Sequence, residues 1–239
     1  YEIRRANSNI FIWKLTKYFE KKVFEISDLS TSVSINEQKK IFKYYKIKTF
    51  LFFNTISFIN NLKKKRITKN YIFFGGSYSY KPNAYSIDKL VNILMPKLIK
   101  EDPKIKLLIM GNKSLIYKKP WLKNKISSKK EYLKYLKNSL ALVVPSNESY
   151  GSKIKIIEAL CYGVPVITTK IGIRGISIID KKQPTIVKNY KSIIKKILIL
   201  KKSQKKYLYY ANRVSHKYVR MHDINENIER LISKIKQNV

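Results

Sequence analysis

Short apolar runs alternate with amphipathic segments through the middle of the chain, and this alternation predicts an α/β fold built on a doubly wound parallel sheet. Strands are expected at 70–75, 105–110, 140–145 and 165–169, and helices at 83–100, 129–138 and 152–162. All seven glycines lie between Gly75 and Gly175 and all seven prolines between Pro82 and Pro184, so turn chemistry is confined to this middle stretch. The flanks should therefore be mostly helical. Over the first 60 residues a helix is expected at 13–27, then Ser34 and Glu37 at capping-box spacing, then an apolar strand at 49–53. Residues after about 189 read as helical and basic. At 239 residues the chain can bury a sizeable core, and no internal repeat or Ser/Gly linker interrupts it.

Gly151 to Ile176, reading GSKIKIIEALCYGVPVITTKIGIRGI, is the most informative stretch. A helix opening at Gly151 and Ser152 presents unpaired backbone N–H groups and the positive end of its dipole to an anion. Lys155 lies less than a turn inside. Glu158 follows at i+3, so Ser152, Lys155 and Glu158 form a polar stripe, with Ile154, Ile157 and Cys161 as the opposing apolar stripe that packs on a sheet. Gly163 is expected to cap the helix in the left-handed conformation, and Pro165 stops it from resuming. The bland alternative for Glu158 is an exposed i,i+3 ion pair with Lys155, which is worth only a few tenths of a kcal/mol.

These residues resemble the nucleotide-binding half of GT-B glycosyltransferases of the family 4 kind. That family carries P-S-(acidic)…G-x-K-x-K-(apolar)2-E-A-(apolar)-x-x-G-x-P-V-(apolar)-x-T…G-x-x-G. The matching positions are Pro145, Ser146, Glu148, Gly151, Lys155, Glu158, Ala159, Gly163, Pro165, Val166, Thr169, Gly172 and Gly175. Upstream, YIFFGGSYSYKPN from Tyr71 to Asn83 looks like the family's strand-to-loop segment, and KLLIMGNK from Lys106 to Lys113 like its next strand. The likeness covers roughly residues 70–180.

The resemblance implies an organisation and a site. Residues 1–60 correspond to the last part of an N-terminal, acceptor-binding domain, with Asn54 at the family's interdomain asparagine. Residues 61–205 form the nucleotide-sugar-binding Rossmann-like domain, and 206–239 are helices packing back toward the N-terminal domain. The chain is thus expected to be a fragment that begins inside the acceptor domain. Lys155 and Glu158 take catalytic positions, Glu158 at the ribose diol. Gly75, Gly76, Ser77, Gly151, Ser152 and Arg174 line the donor site. Two departures stand out: Tyr150 occupies the place of the family's second glutamate, eight residues before Glu158, and Ser77 stands where many members have an arginine, a role for which Lys81 is a stand-in.

Charge changes the picture less than its size suggests. A net charge of +36 points toward nucleic acid or an anionic membrane surface. Yet only seven of 51 basic residues are arginine, and the lysines are spread along every segment. An excess of Lys, Ile, Asn and Tyr is what AT-rich coding produces, so a nucleic-acid partner is disfavoured. Peripheral contact with an anionic leaflet is retained, at about 1 kcal/mol per nearby lysine. The lone Cys161 sits on an apolar helix face as a core residue in a reducing compartment, and no apolar run reaches the ~20 residues that span a bilayer. A cytoplasmic protein is expected. His216 and His222 are expected at the surface, and the clustered tyrosines 44, 45, 207, 209 and 210 in helix packing.

Glycosyl transfer from a nucleoside-diphosphate sugar must stabilise a departing diphosphate, and either a metal or fixed cations can do so. None of the five aspartates (28, 88, 102, 180 and 223) forms an Asp-x-Asp motif, so the load falls on Lys155, the amides near Gly151, and Gly75 and Gly76. This agrees with the implied activity, a retaining, metal-independent transfer with no cofactor beyond the donor, UDP-sugar by family prior. The acceptor class is a glycan or a lipid-linked sugar. Three possibilities remain distinct: a transferase domain, a nucleotide-sugar-binding remnant without turnover, and a basic nucleic-acid-binding module.

Overall fold

The computed structural model describes residues 10–56, 69–111, 117–125, 128–147, 153–180 and 182–237. The N-terminal segment comprises α1 (Ile10–Ile26), β1 (Thr31–Ser32), α2 (Ile35–Tyr45) and β2 (Phe50–Leu51), with β1 and β2 paired in parallel. The capping box forms at α2: Ser34 accepts from the Glu37 N–H at 3.2 Å, and the Glu37 carboxylate accepts from the Val33 N–H at 3.1 Å.

The main sheet contains β3 (Tyr71–Gly75), β4 (Lys106–Met110), β5 (Leu122–Lys125), β6 (Ala141–Val144), β7 (Val166–Thr169) and β8 (Thr185–Val187). All pairings are parallel and the order is β5-β4-β3-β6-β7-β8. The four expected strands are present. The edge strands β5 and β8 carry no comparable signal: β5 reads LKNK and is largely exposed, so no apolar run marks it. The other strands are buried on both faces, which is why they read as continuous Ile, Leu, Val and Phe rather than alternating.

Helices cover both faces. On one lie α3 (Lys81–Lys89), α4 (Met95–Glu101) and α7 (Tyr190–Lys202), joined by Tyr85 to Tyr190 (3.1 Å between hydroxyls) and by the Lys201–Asp102 ion pair. On the other lie α5 (Lys129–Asn138), α6 (Ile154–Cys161) and α8 (Gln204–His222), the last packed on α6. The single helix expected at 83–100 begins earlier and is interrupted by a π-helical stretch at Leu90–Leu94. Pro96 explains the interruption, because it has no N–H for the Asn92 carbonyl, and the Met95 N–H reaches back to the Leu90 carbonyl instead.

α6 departs from the expected amphipathic helix. Lys153 is its N-cap, and Ile154, assigned above to the packing stripe, is 52% exposed. Ile156 is fully buried in its place, and all residues from Ile156 to Cys161 are buried, because α6 is held between the sheet and α8. Gly163 adopts φ +63°, the left-handed cap expected of it.

His222 is also corrected: it is 2% exposed, not a surface residue, whereas His216 is exposed. Its Nδ1 lies 2.7 Å from the Asn54 carbonyl, its own carbonyl accepts from the Ile56 N–H at 3.0 Å, and its ring packs edge-on against Phe53. Asp223 then caps α9 (Ile224–Lys236) by accepting from Asn225 and Glu226 N–H. The C-terminal helices thus touch residues 53–56. Of the clustered tyrosines, Tyr45 packs in the interior while Tyr209 is exposed.

Leu142 is fully buried on β6 and paired in register with Phe73 and Val166. Leu142→Ala should lower unfolding free energy by about 2–5 kcal/mol, read from urea denaturation midpoints.

Candidate active site

In a sheet of this order the chain leaves β3 toward one side and β6 toward the other, so a crevice opens between their carboxyl ends. The β3 strand ends at Gly75, and the chain turns at Gly76 with φ +148°. Glycine is required there by backbone angle and by space. A Cβ on Gly76 would come within 2.6 Å of Asn83 Nδ2 and 2.8 Å of Lys155 Nζ. Gly111, after β4, lies so close that its Cβ would meet the Gly76 carbonyl at 2.2 Å. The Gly76 N–H is already engaged by the Met110 carbonyl at 2.8 Å. Among the described residues the Ser77 N–H has no acceptor, while the Ser77 hydroxyl lies 2.6 Å from that of Ser79 in a local turn.

Lys155 reaches into this crevice from the first turn of α6. Its ammonium donates to Asn83 Oδ1 at 2.6 Å and lies 4.2 Å from the centre of the Phe74 ring. Burial holds its pKa down to about 7 from the usual 10.5, with the Lys153 charge adding to the fall and Glu158 opposing it. An ammonium held in low dielectric without a carboxylate partner is costly, and a docked anion relieves that cost.

Glu158, one turn further, is 5% exposed. It does not pair with Lys155 on a solvated surface. Its carboxylate accepts from Lys129 at the start of α5, and the Tyr132 phenol faces it from the same helix, its pKa raised first by burial and then by the carboxylate. Tyr132 extends under the β3 turn, where a Cβ on Gly75 would meet its hydroxyl at 2.5 Å.

The structure thus places Lys155, Glu158, Gly75 and Gly76 around one crevice, with Ser77 next in the loop. Arg174 does not join them: it is exposed on the turn after β7, and its guanidinium makes no hydrogen bond or ion pair with another described residue. A glycine-flanked arginine was a weak guide, because Gly172 is needed for contact with Thr168, whose Oγ1 a Cβ would meet at 2.1 Å. Gly151, Ser152, Glu148 and Tyr150 lie outside the described residues. Asn83, Lys129 and Tyr132 were missed. Lys129 and Tyr132 share a face of α5 by their i,i+3 spacing, but only tertiary structure brings that face to Glu158.

A six-stranded parallel sheet flanked by helices on both faces matches the fold of GT-B glycosyltransferases. The chain belongs to the glycosyl transferases group 1 family, whose profile matches residues 69–202. No curated protein matches it. Among solved structures it is similar in fold to a mutant of S. aureus TarM in complex with Fondaparinux, alpha-GlcNAc-glycerol and UDP. Identity there is 18%, the TM-score is 0.74, and 90% of this chain and 45% of that chain are covered. It is also similar to the pneumococcal O-GlcNAc transferase GtfA in complex with UDP and GlcNAc (16% identity, TM-score 0.67, 92% and 47% covered). A third is Anabaena HepE in complex with UDP-glucose (10%, 0.66, 93% and 69%). The chain spans about half the length of the first two.

A lysine whose folded pKa is lowered favours the native state above its unfolded pKa of 10.5, and that contribution is lost as pH falls toward about 7. Lys155→Met should therefore be more stable than the unsubstituted chain at pH 6, with the gap closing as pH rises toward 10.5, in denaturation midpoints measured across pH.

Proposed function

We propose that the crevice binds a nucleoside-diphosphate sugar and that the full-length protein transfers the sugar to a glycan or lipid-linked acceptor with retention of anomeric configuration. The observation that carries this is the ammonium of Lys155, desolvated over the Gly76 turn and without a carboxylate partner among the described residues. Its position suits the diphosphate, and that of Glu158 suits the ribose diol, where a carboxylate accepts two hydroxyl protons. Support for uracil as the base comes from the fold relatives solved with UDP or UDP-glucose.

In the reaction the bond from the sugar anomeric carbon to the diphosphate oxygen breaks and a bond to the acceptor oxygen forms. The acceptor proton leaves with the departing phosphate or to water. Charge gathers on the leaving diphosphate, where a fixed cation stabilises the transition state more than the ground state. Lys155 supplies that charge, and transfer then needs no divalent ion, so EDTA should leave the rate unchanged. The chain spans about half the length of two of its fold relatives, and we assign acceptor recognition to the region it does not cover in them. No helix among the described residues is long and apolar enough to cross a membrane. We place the work on the cytoplasmic side, with lysine-rich surfaces able to touch an anionic leaflet.

Calorimetry tests the reading. At pH 8 Lys155 is largely neutral in the free chain, its pKa being about 7, and a docked diphosphate charges it. UDP binding should take up about one proton, seen as enthalpies that vary with buffer ionisation heat. Lys155→Met should abolish the uptake and weaken binding at least tenfold, the loss expected when a charged hydrogen bond is removed. UDP binding without any transfer by a full-length form would leave a binding remnant, not an enzyme.

A further inference from the structure

Asn83 stands second after the lysine that opens α3, 72 residues before Lys155 in sequence, yet the two side chains meet above one glycine. An ammonium has only donors, so the Asn83 atom facing it at 2.6 Å must be the carbonyl Oδ1. That contact fixes the amide's other end. Nδ2 is turned over the Gly76 Cα, within 2.6 Å of where a Cβ would stand. Nδ2 appears in no hydrogen bond among the described residues, and Asn83 itself is half-buried. Its two N–H groups therefore face the same small space as the Lys155 ammonium.

We propose that Asn83 is a two-ended residue of the donor site: Oδ1 positions the Lys155 ammonium over the Gly76 turn, and Nδ2 donates directly to the diphosphate that docks there. This rests on the reading of the crevice as a nucleotide-sugar site and adds to it a residue that holds the cation and counts the phosphates. The chemistry explains why an amide serves and a carboxylate does not. Aspartate would satisfy the lysine, but it would also set a negative charge against the anion and cancel the charge that Lys155 offers.

The test compares UDP and uridine as ligands for the unsubstituted chain, Asn83→Ala and the nearly isosteric Asn83→Asp, by calorimetry at pH 8. Uridine shares the base and ribose but has no phosphate. Asn83→Ala should weaken UDP about 10- to 100-fold, the cost of a lost charged hydrogen bond, and leave uridine unchanged. Asn83→Asp should weaken UDP at least as much, again sparing uridine. The proton uptake on UDP binding should also disappear in Asn83→Asp, because the aspartate keeps Lys155 charged beforehand. Asn83→Ala should instead shift the alkaline limb of UDP binding to lower pH, since the ammonium loses its acceptor. Equal losses for UDP and uridine in both variants would reduce Asn83 to a packing role, and unchanged UDP affinity in Asn83→Ala would overturn the proposal outright. Failure of the unsubstituted chain to bind either ligand would instead overturn the nucleotide-sugar reading beneath it.

Discussion

The desolvation of one lysine organises the molecule. Lys155 is carried into the crevice by a short helix packed on both sides, and the β3 turn that receives it has glycine where any side chain would collide with it. Each part of the arrangement depends on the next. The Gly76 turn exists because Gly111 allows the β4 end to approach its carbonyl, and the ammonium lies over that turn because Phe74 and Asn83 meet it there. Stability is sacrificed for this, since a half-buried cation with no carboxylate partner among the described residues opposes folding until an anion arrives.

Glu158 shows the complementary solution. It is buried more deeply than the half-buried Lys155, and it has a cation beside it, Lys129, and a phenol, Tyr132. Lys129 is itself mostly exposed, so the pair joins a buried carboxylate to a solvated ammonium. On the proposed reading a ribose diol replaces that ammonium at small cost, because a solvent-facing lysine regains its hydration on leaving. One group of the crevice thus waits for a counter-charge, while the other carries a replaceable one.

Much of the fold was legible because the parallel strands are buried on both faces and the turns need glycine. β3, β4, β6 and β7 each stand out as an apolar run ending at Gly, Pro or a polar turn, and Gly163 marked the end of α6 by its left-handed φ. What was not legible depended on distant contacts. β5 has almost no apolar residues and forms by pairing with β4. His222 is buried by a segment 168 residues away, which no local pattern reveals. Ile154 was misread because amphipathic spacing assumes a helix with one solvated side, whereas α8 covers the second side of α6 and leaves the first turn to the crevice mouth. For the site, motif spacing led to Lys155, Glu158 and the Gly75–Gly76 turn, while Asn83 and Lys129 became visible only when three elements converged.

The net charge of +36 gains meaning from this contrast. A solvated lysine is screened beyond about 8–10 Å at physiological salt and its ammonium is fully hydrated, so dozens of them add long-range attraction for anions without choosing among anions. Lys155 differs by position, not by residue type. Partly withdrawn from water, its charge acts through a lower dielectric and over a hydrogen-bond length, where an interaction several times stronger is available and where geometry decides which anion fits. The lysine-rich surface can raise the local concentration of any polyanion. On the proposed reading, selection of a diphosphate requires a cation partly stripped of its hydration next to neutral donors at fixed spacing, and Lys155 with Asn83 at the switch point between β3 and β6 meets that requirement.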